Sequence, residues 1–164
     1  MKKLTALLLM CAMVFTLVAC GGDKKTGTLS YDLPEGFTEQ TEGQWVSPDY
    51  ASGDSSNIIV QASENDPYGV NYTEDEFVEL VSAAYEAQGY SIDSFNMVEF
   101  KKGELNGFDT LLIDCEYSLM GVEIQQIEFL AQIGDVTHVI TYTTAPQFGW
   151  YDAFRASVDS MEIK

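Results

Sequence analysis

The spacing of apolar residues predicts where the helices of this chain lie. One stripe recurs every three to four positions, which is the helical period. It consists of Phe77, Leu80, Val81, Ala84, Tyr85 and Gln88. Thr73 and Glu76 form a capping-box pair at its start, and Gly89 supplies a stop signal at its end. A second helix is expected after Pro146, running to about Met161.

Between these two helices the apolar period is two, which predicts β-strands. The positions predicted to face inward are Ile113, Cys115, Tyr117 and Leu119, and they alternate with the mostly polar Leu112, Asp114, Glu116 and Ser118. In the following segment the apolar positions change from even numbers (Val122, Ile124) to odd numbers (Ile127, Phe129, Ala131, Ile133). A strand needs an extra residue to exchange its faces, so this change predicts a β-bulge at Gln125–Gln126.

Further strands complete the predicted sheet. They are expected at 28–32, 43–47, 57–62, 94–102 and 136–143, with short turns near 103–107, 119–121 and 134–135. Consecutive strands joined by short turns form an antiparallel meander. With helices packed on it, the sequence predicts an α+β fold.

The first nineteen residues have the pattern of an export signal. Lys2 and Lys3 precede an apolar run over 4–19, which is shorter than the roughly 20 residues a spanning helix needs. The run ends in Leu17-Val18-Ala19-Cys20, which resembles the bacterial lipobox. The resemblance implies cleavage between Ala19 and Cys20 and attachment of a diacylglycerol group to the Cys20 sulfur, with acyl chains such as palmitate. The alternative is a simple secreted protein with a chance cysteine.

These features divide the chain into three parts. We expect a lipoprotein signal peptide at 1–19, a lipidated flexible tether at 20–28 and a single domain at 29–164. Cys11 would leave with the signal and Cys20 would carry the lipid, so Cys115 is expected to be a buried thiol. The mature protein would be anchored to the extracytoplasmic face of a bacterial membrane without spanning it.

The charge of the chain narrows the classes of partner. The net charge is −18, with 26 acidic against 8 basic residues, and removal of the signal would take away two lysines. Binding to nucleic acid depends on lysine and arginine neutralising phosphates, so this acidic chain is expected to bind none. The acidity is typical of a well-solvated surface.

Several segments together resemble the PsbP/Mog1 family. They are Tyr31-Asp32-Leu33-Pro34-Glu35-Gly36-Phe37, Trp45, Asn57-Ile58-Ile59-Val60, the capped helix, and the closing Phe154-x-x-Ser157-Val158-x-Ser160-Met161. The resemblance covers roughly residues 29 to 162. It implies an antiparallel sheet packed between helices, an α/β/α sandwich. Members include a photosystem extrinsic subunit and a nuclear transport cofactor, so it also implies an accessory or binding protein, with no functional residue carried over.

Candidate catalytic and metal-binding residues are few. His138 is the only histidine, and a zinc site would need Cys115 and carboxylates, which show no ligand spacing. A Cys115–His138 pair is disfavoured because the alternation buries Cys115. A Ser–His–Asp triad lacks the G-x-S-x-G motif. The oxygen-rich segments 49–57 and 64–66 match no calcium loop, so solvated turns are favoured. No cofactor and no metal is expected.

Five aromatic residues in predicted loops are candidates for the edge of a partner-binding surface: Tyr50, Tyr68, Tyr72, Phe148 and Trp150. Altogether the sequence predicts a membrane-anchored lipoprotein that serves as a non-catalytic accessory or protein-binding module, held to the membrane through Cys20. Two alternatives remain: a small-ligand-binding lipoprotein, or an envelope hydrolase that uses His138.

Overall fold

The computed structural model of the protein describes residues 26–64, 66 and 68–164. The predicted signal peptide, the cleavage site at Ala19 and Cys20, and the tether up to residue 25 lie outside the described residues. No helix within the described part of the chain is long and apolar enough to cross a membrane.

The described residues form a seven-stranded antiparallel sheet and a small two-stranded sheet. The strands are β1 (Leu29–Ser30), β2 (Thr38–Thr41), β3 (Gln44–Val46), β4 (Asn57–Glu64), β5 (Ile92–Leu105), β6 (Phe108–Leu119), β7 (Val122–Ile133), β8 (Val136–Thr144) and β9 (Glu162–Ile163). The large sheet has the order β2-β3-β4-β8-β7-β6-β5, and β1 pairs with β9. The predicted meander is therefore present as β5 to β8, with β4 added beside β8.

One helix packs on each face of the large sheet. Helix α1 (Glu74–Glu86) begins at the predicted capping box, in which Thr73 and Glu76 satisfy each other's backbone N–H groups. Helix α2 (Tyr151–Asp159) follows a short 3₁₀ turn at Pro146–Phe148. We call the two sides of the sheet the α1 face and the α2 face. The result is the α/β/α sandwich that the resemblance implied.

Each face has its own apolar core. Under α1, the buried side chains are Phe77, Val81 and Tyr85 from the helix and Leu111, Ile113, Tyr117, Leu119, Ile124 and Leu130 from the sheet. Under α2, they are Phe154 and Val158 from the helix and Ile58, Ile127, Phe129, Ile133, Ile140 and Tyr142 from the sheet. Because both faces are covered, the strands are buried on two sides, and Asp114 is only 1% exposed where the sequence predicted a mostly solvated face.

Strand β7 contains no bulge, so the prediction at Gln125–Gln126 was wrong. Its pairing with β6 and with β8 runs without a shift from end to end. Ile124 and Leu130 lie on the α1 face, while Ile127 and Phe129 lie on the α2 face. The apolar period changes because the α1-face positions between 124 and 130 hold polar residues. The register shifts of this sheet lie in β5 and β2 instead.

The domain begins slightly before the predicted end of the tether. Thr28 donates its backbone N–H to the Lys164 carbonyl at 2.7 Å and accepts one from the Lys164 N–H at 3.1 Å. Gly27 packs so closely that a Cβ there would lie 2.8 Å from Ile163.

Candidate functional site

Six polar residues lie in two neighbouring rows on the α1 face. The register places Asn57, Thr143 and Gln126 in one row across β4, β8 and β7. The neighbouring row holds Gln44, Ile59, Thr141 and Glu128, on β3, β4, β8 and β7, so the apolar Ile59 separates Gln44 from Thr141. We call the six residues the polar patch: Gln44, Asn57, Gln126, Glu128, Thr141 and Thr143. In the middle of a sheet these positions ordinarily hold apolar side chains.

A chain of hydrogen bonds connects the polar patch to helix α1. The Tyr85 and Tyr117 hydroxyl oxygens are 2.8 Å apart, and the Tyr117 hydroxyl donates to Gln126 Oε1 at 2.7 Å. Gln126 Nε2 then donates to Glu128 Oε1 at 2.6 Å. Both tyrosines and Gln126 are almost fully buried, so this chain fixes the Gln126 amide and, through it, the Glu128 carboxylate.

The Glu128 carboxylate lies inward without a cation to balance it. Burial raises the pKa of Glu128 to about 7, and the hydrogen bond from Gln126 opposes this rise. Among the residues that the structure describes, the ion pairs involve Arg155 and Lys164 and none involves Glu128. Burial also raises the pKa of Tyr72, and the nearby charges of Asp66 and Glu128 add to this rise.

Two polar atoms of the patch lack hydrogen-bond partners. Asn57 is 0% exposed, and its amide nitrogen donates to the Ser55 carbonyl at 3.0 Å. Its amide oxygen Oδ1 is buried and has no partner. Gln44 Nε2 is likewise buried and unpaired. A buried polar atom without a partner costs roughly 1–3 kcal/mol of stability, so each of these two atoms is destabilising.

The elements around the polar patch leave it beside α1 rather than under it. Helix α1 contacts β5, and the 3₁₀ turn at Gly69–Asn71 crosses β6 and β7. Tyr68 and Tyr72 stack on each other on either side of this turn, with ring centroids 4.9 Å apart. Lys102 holds the turn in place by donating to the Asn71 carbonyl at 3.0 Å.

The sequence candidates His138 and Cys115 lie on opposite faces of the sheet. His138 is on the α2 face, between Ala62 of β4 and Ala131 of β7, and burial lowers its pKa. Cys115 is 0% exposed on the α1 face, in the row of Gln126. The sheet therefore separates the two side chains, and the positions directly opposite His138 provide no nucleophile.

Asp54 of the first oxygen-rich loop and the loop aromatics Trp150, Tyr68 and Tyr72 do not form one site. Asp54 accepts from the Ser56 backbone and from Trp150 Nε1 at 2.7 Å, so its carboxylate is used inside the fold. Trp150 packs edge-on against Phe37 on the α2 side, away from the Tyr68–Tyr72 stack. Within the described ranges, no group of three or more His, Cys, Asp or Glu side chains is placed to hold a metal ion.

A second polar cluster lies under α2. Asp114 Oδ2 accepts from Tyr151 at 2.5 Å and from Arg155 at 3.1 Å, and Arg155 also donates to Glu99 at 3.1 Å. Burial raises the pKa of Asp114, while the bonds from Tyr151 and Arg155 oppose the rise. Since Tyr151 and Arg155 are one helical turn apart, both hold α2 on the sheet, and we assign this cluster to the packing of the helix.

The fold is shared with two solved structures. LpqN of Mycobacterium tuberculosis, described as involved in cell envelope biogenesis, is 14% identical over 87% of each chain, with a TM-score of 0.53. The cyanobacterial PsbP protein CyanoP of Synechocystis sp. PCC 6803 is 11% identical over 90% of this chain and 99% of that chain, with a TM-score of 0.54. These likenesses confirm the PsbP-like α+β fold. No protein-family model matches the sequence, and the search of curated proteins found no match.

Proposed function

We propose that this protein is a lipid-anchored binding module on the extracytoplasmic face of a bacterial membrane, and that it catalyses no reaction. The observation that carries the binding role is the polar patch. Polar residues at inward sheet positions, two of them with unpaired buried atoms, reduce stability without helping the core. Sequences depart from good packing rules chiefly at functional sites.

The same residues argue for binding rather than catalysis. Nucleophilic catalysis needs a nucleophile and a base within hydrogen-bond reach of each other. His138, the single histidine of the chain, lies between two alanines on the face opposite the patch. Glu128 is bonded to an amide rather than to a hydroxyl or thiol that it would activate.

The anchor supports a role close to the membrane. The lipobox-like sequence ends at Cys20, and backbone hydrogen bonds at Thr28 begin only eight residues later. A module held this close to the bilayer encounters membrane and envelope partners at a high effective concentration.

The anchor is tested by fractionation and mass spectrometry. Wild type should sediment with membranes and carry an acylated N-terminal Cys20, whereas Cys20→Ser should leave the membrane fraction. An unmodified Cys20 on protein from intact cells would rule out the anchor.

The binding role is tested by photocrosslinking in intact cells. A photoreactive amino acid at Gln44, in the polar patch, should capture a partner, whereas one at Asp152, exposed on α2, should not. Crosslinks of equal yield at both positions, or none at Gln44, would contradict a binding surface at the patch.

A further inference from the structure

We propose that two copies of this protein pair through strand β5 (Ile92–Leu105), so that their two large sheets become one continuous antiparallel sheet. This interface is separate from the polar patch and goes beyond the binding role proposed above. A second copy is the occupant that fits the open edge, the apolar residues beside it and the charges along it.

Strand β5 is the longest strand of the described chain and lies at one edge of the large sheet. It spans 14 residues, and within the described residues it pairs with β6 alone. On an edge strand, every second residue turns its backbone N–H and C=O groups away from the sheet, where only water or another strand can bind them. A long open edge is therefore a template for pairing with a further strand.

Apolar side chains of β5 and of helix α1 are exposed beside this edge. Val98 is 50% exposed and is the extra residue of a bulge, because the register with β6 steps from Met97 to Glu99. Leu80 of α1 is 41% exposed, and Ala84, one turn further along the helix, is exposed as well. These side chains contribute little to the core of a single copy, so they are available to an interface.

The direction of Leu80 and Ala84 follows from Glu76 in the first turn of α1. Hydrogen bonds from Thr73 lower the pKa of Glu76, and the charge of Lys102 on β5 lowers it further, so Glu76 lies on the β5 side of the helix. Helical residues four apart lie on the same side, so Glu76, Leu80 and Ala84 form one line. Because α1 contacts β5, this line runs along the strand. A strand paired to β5 therefore meets the exposed apolar side chains of α1 as well as the free backbone groups.

The charges of β5 complement themselves in an antiparallel pair. Glu99 and Lys101 are two positions apart, so they lie on the same face of the strand, with Phe100 between them. When Phe100 lies at the two-fold axis, Glu99 of each copy is opposite Lys101 of the other copy. This register contains two cross-strand pairs of opposite charge, and no like charges face each other in it. Lys101 is exposed and has no ion-pair partner within the described chain.

The same two-fold axis allows both lipid anchors to enter one membrane. The axis is perpendicular to the continuous sheet, so the α2 faces of both copies point to the same side. The described chain begins on that face, because Gly27 packs against Ile163, which belongs to the core under α2. Both tethers therefore leave from one side of the paired sheet, and both polar patches point to the other side. Confinement to a membrane also raises the effective concentration of the second copy.

The test is photocrosslinking of the full-length protein in intact cells, together with an epitope-tagged copy. A photoreactive amino acid at Val98 should give a product of twice the monomer mass, in which mass spectrometry finds β5 of one copy joined to β5 of the tagged copy. Leu33 is the control position. It is 39% exposed, but it lies in the loop before β2, the strand at the opposite edge of the sheet, and it should give no such product.

Substitutions in the protein crosslinked from Val98 test the charges and the apolar residues. Lys101→Glu places a carboxylate opposite Glu99 in both pairs and should lower the yield of dimer about tenfold, whereas Lys101→Arg should leave it unchanged. Lys164→Glu, with the same change of net charge, is the control. Leu80→Glu brings a charge into the interface and should also lower the yield, with Leu33→Glu as its control. All four positions are exposed, and circular dichroism checks that each variant is folded.

A crosslink from Val98 to a different protein would overturn the proposal, because the edge would then accept a strand from another partner. A product of monomer mass alone would overturn it too, because the bulge and the lysines of β5 would then protect the edge from pairing. Equal dimer yield in wild type and Lys101→Glu would contradict the pairing centred on Phe100. Crosslinks at Gln44 report on the polar patch separately, so either proposal can fail while the other stands.

Discussion

Replacing Glu128 with glutamine should stabilise the protein at pH 8 and change little at pH 5. Burial raises the pKa of Glu128 from 4.5 to about 7 in the folded state, whereas the unfolded chain keeps the ordinary value. Between these two values the folded protein binds more protons than the unfolded chain, so stability falls as the pH rises from about 4.5 through 7. Above pH 7 the whole penalty of an ionised, inward carboxylate is present.

The size of this effect follows from the two pKa values. The difference corresponds to roughly 3 kcal/mol of unfolding free energy at pH 8. Since Glu128 is only half-buried, water screens part of it, and we expect a gain of about 1–2 kcal/mol for Glu128→Gln. The glutamine keeps an oxygen to accept from Gln126 Nε2, so the hydrogen-bond chain to Tyr85 survives the change.

The assay is urea unfolding of wild type, Glu128→Gln and Glu116→Gln at pH 5 and pH 8. Wild type minus Glu128→Gln cancels the general repulsion among the acidic residues, which both proteins share. The control Glu116→Gln should follow wild type at both pH values. If Glu128→Gln loses as much stability as wild type between pH 5 and pH 8, the carboxylate does not titrate in this range and the electrostatic reasoning is wrong.

Three further outcomes follow from other contacts. Thr73→Ala removes the capping box of α1 and should lower the unfolding free energy by about 1 kcal/mol in urea, while Glu79→Ala, at an exposed position in the middle of the helix, serves as control; no change would mean that the cap contributes nothing. Arg155→Met leaves the buried Asp114 carboxylate without its cation and should cost about 2–3 kcal/mol at pH 8, less at pH 4, in thermal melts; a loss independent of pH would contradict this cause. Cys115, 0% exposed, should react with a thiol reagent only after denaturation, and rapid labelling in native buffer would show that β6 opens.

The capped helix and the strand meander were predictable because their signals are local. The Thr73–Glu76 pair and the stripe of Phe77, Val81 and Tyr85 lie within a few turns of chain, and the structure confirms both. Leu80 and Ala84, both predicted to face inward, are exposed, so the buried stripe of α1 is narrower than the sequence suggested.

The short strands were harder to predict, because each is a strand only through its pairing with another segment and has no clear pattern of its own. Strands Thr38–Thr41 and Glu162–Ile163 were missed, since each is polar or only two residues long. The second helix begins at Tyr151 rather than directly after Pro146, because Gly149 has a φ of 71° and ends a separate 3₁₀ turn first.

The polar patch was visible in the sequence, although its meaning was not. The change of apolar period at residues 125–126 has two physical explanations: an extra residue that exchanges the faces, or inward positions that hold polar side chains. Only the register distinguishes them, and it runs unbroken through Gln126 and Glu128. Strand β7 keeps its register even though this places the Glu128 carboxylate on an inward position. We therefore infer that Glu128 has a role other than packing in the core. For this reason we place the binding role at Glu128 rather than at His138, which stands out in the composition because it is the single histidine.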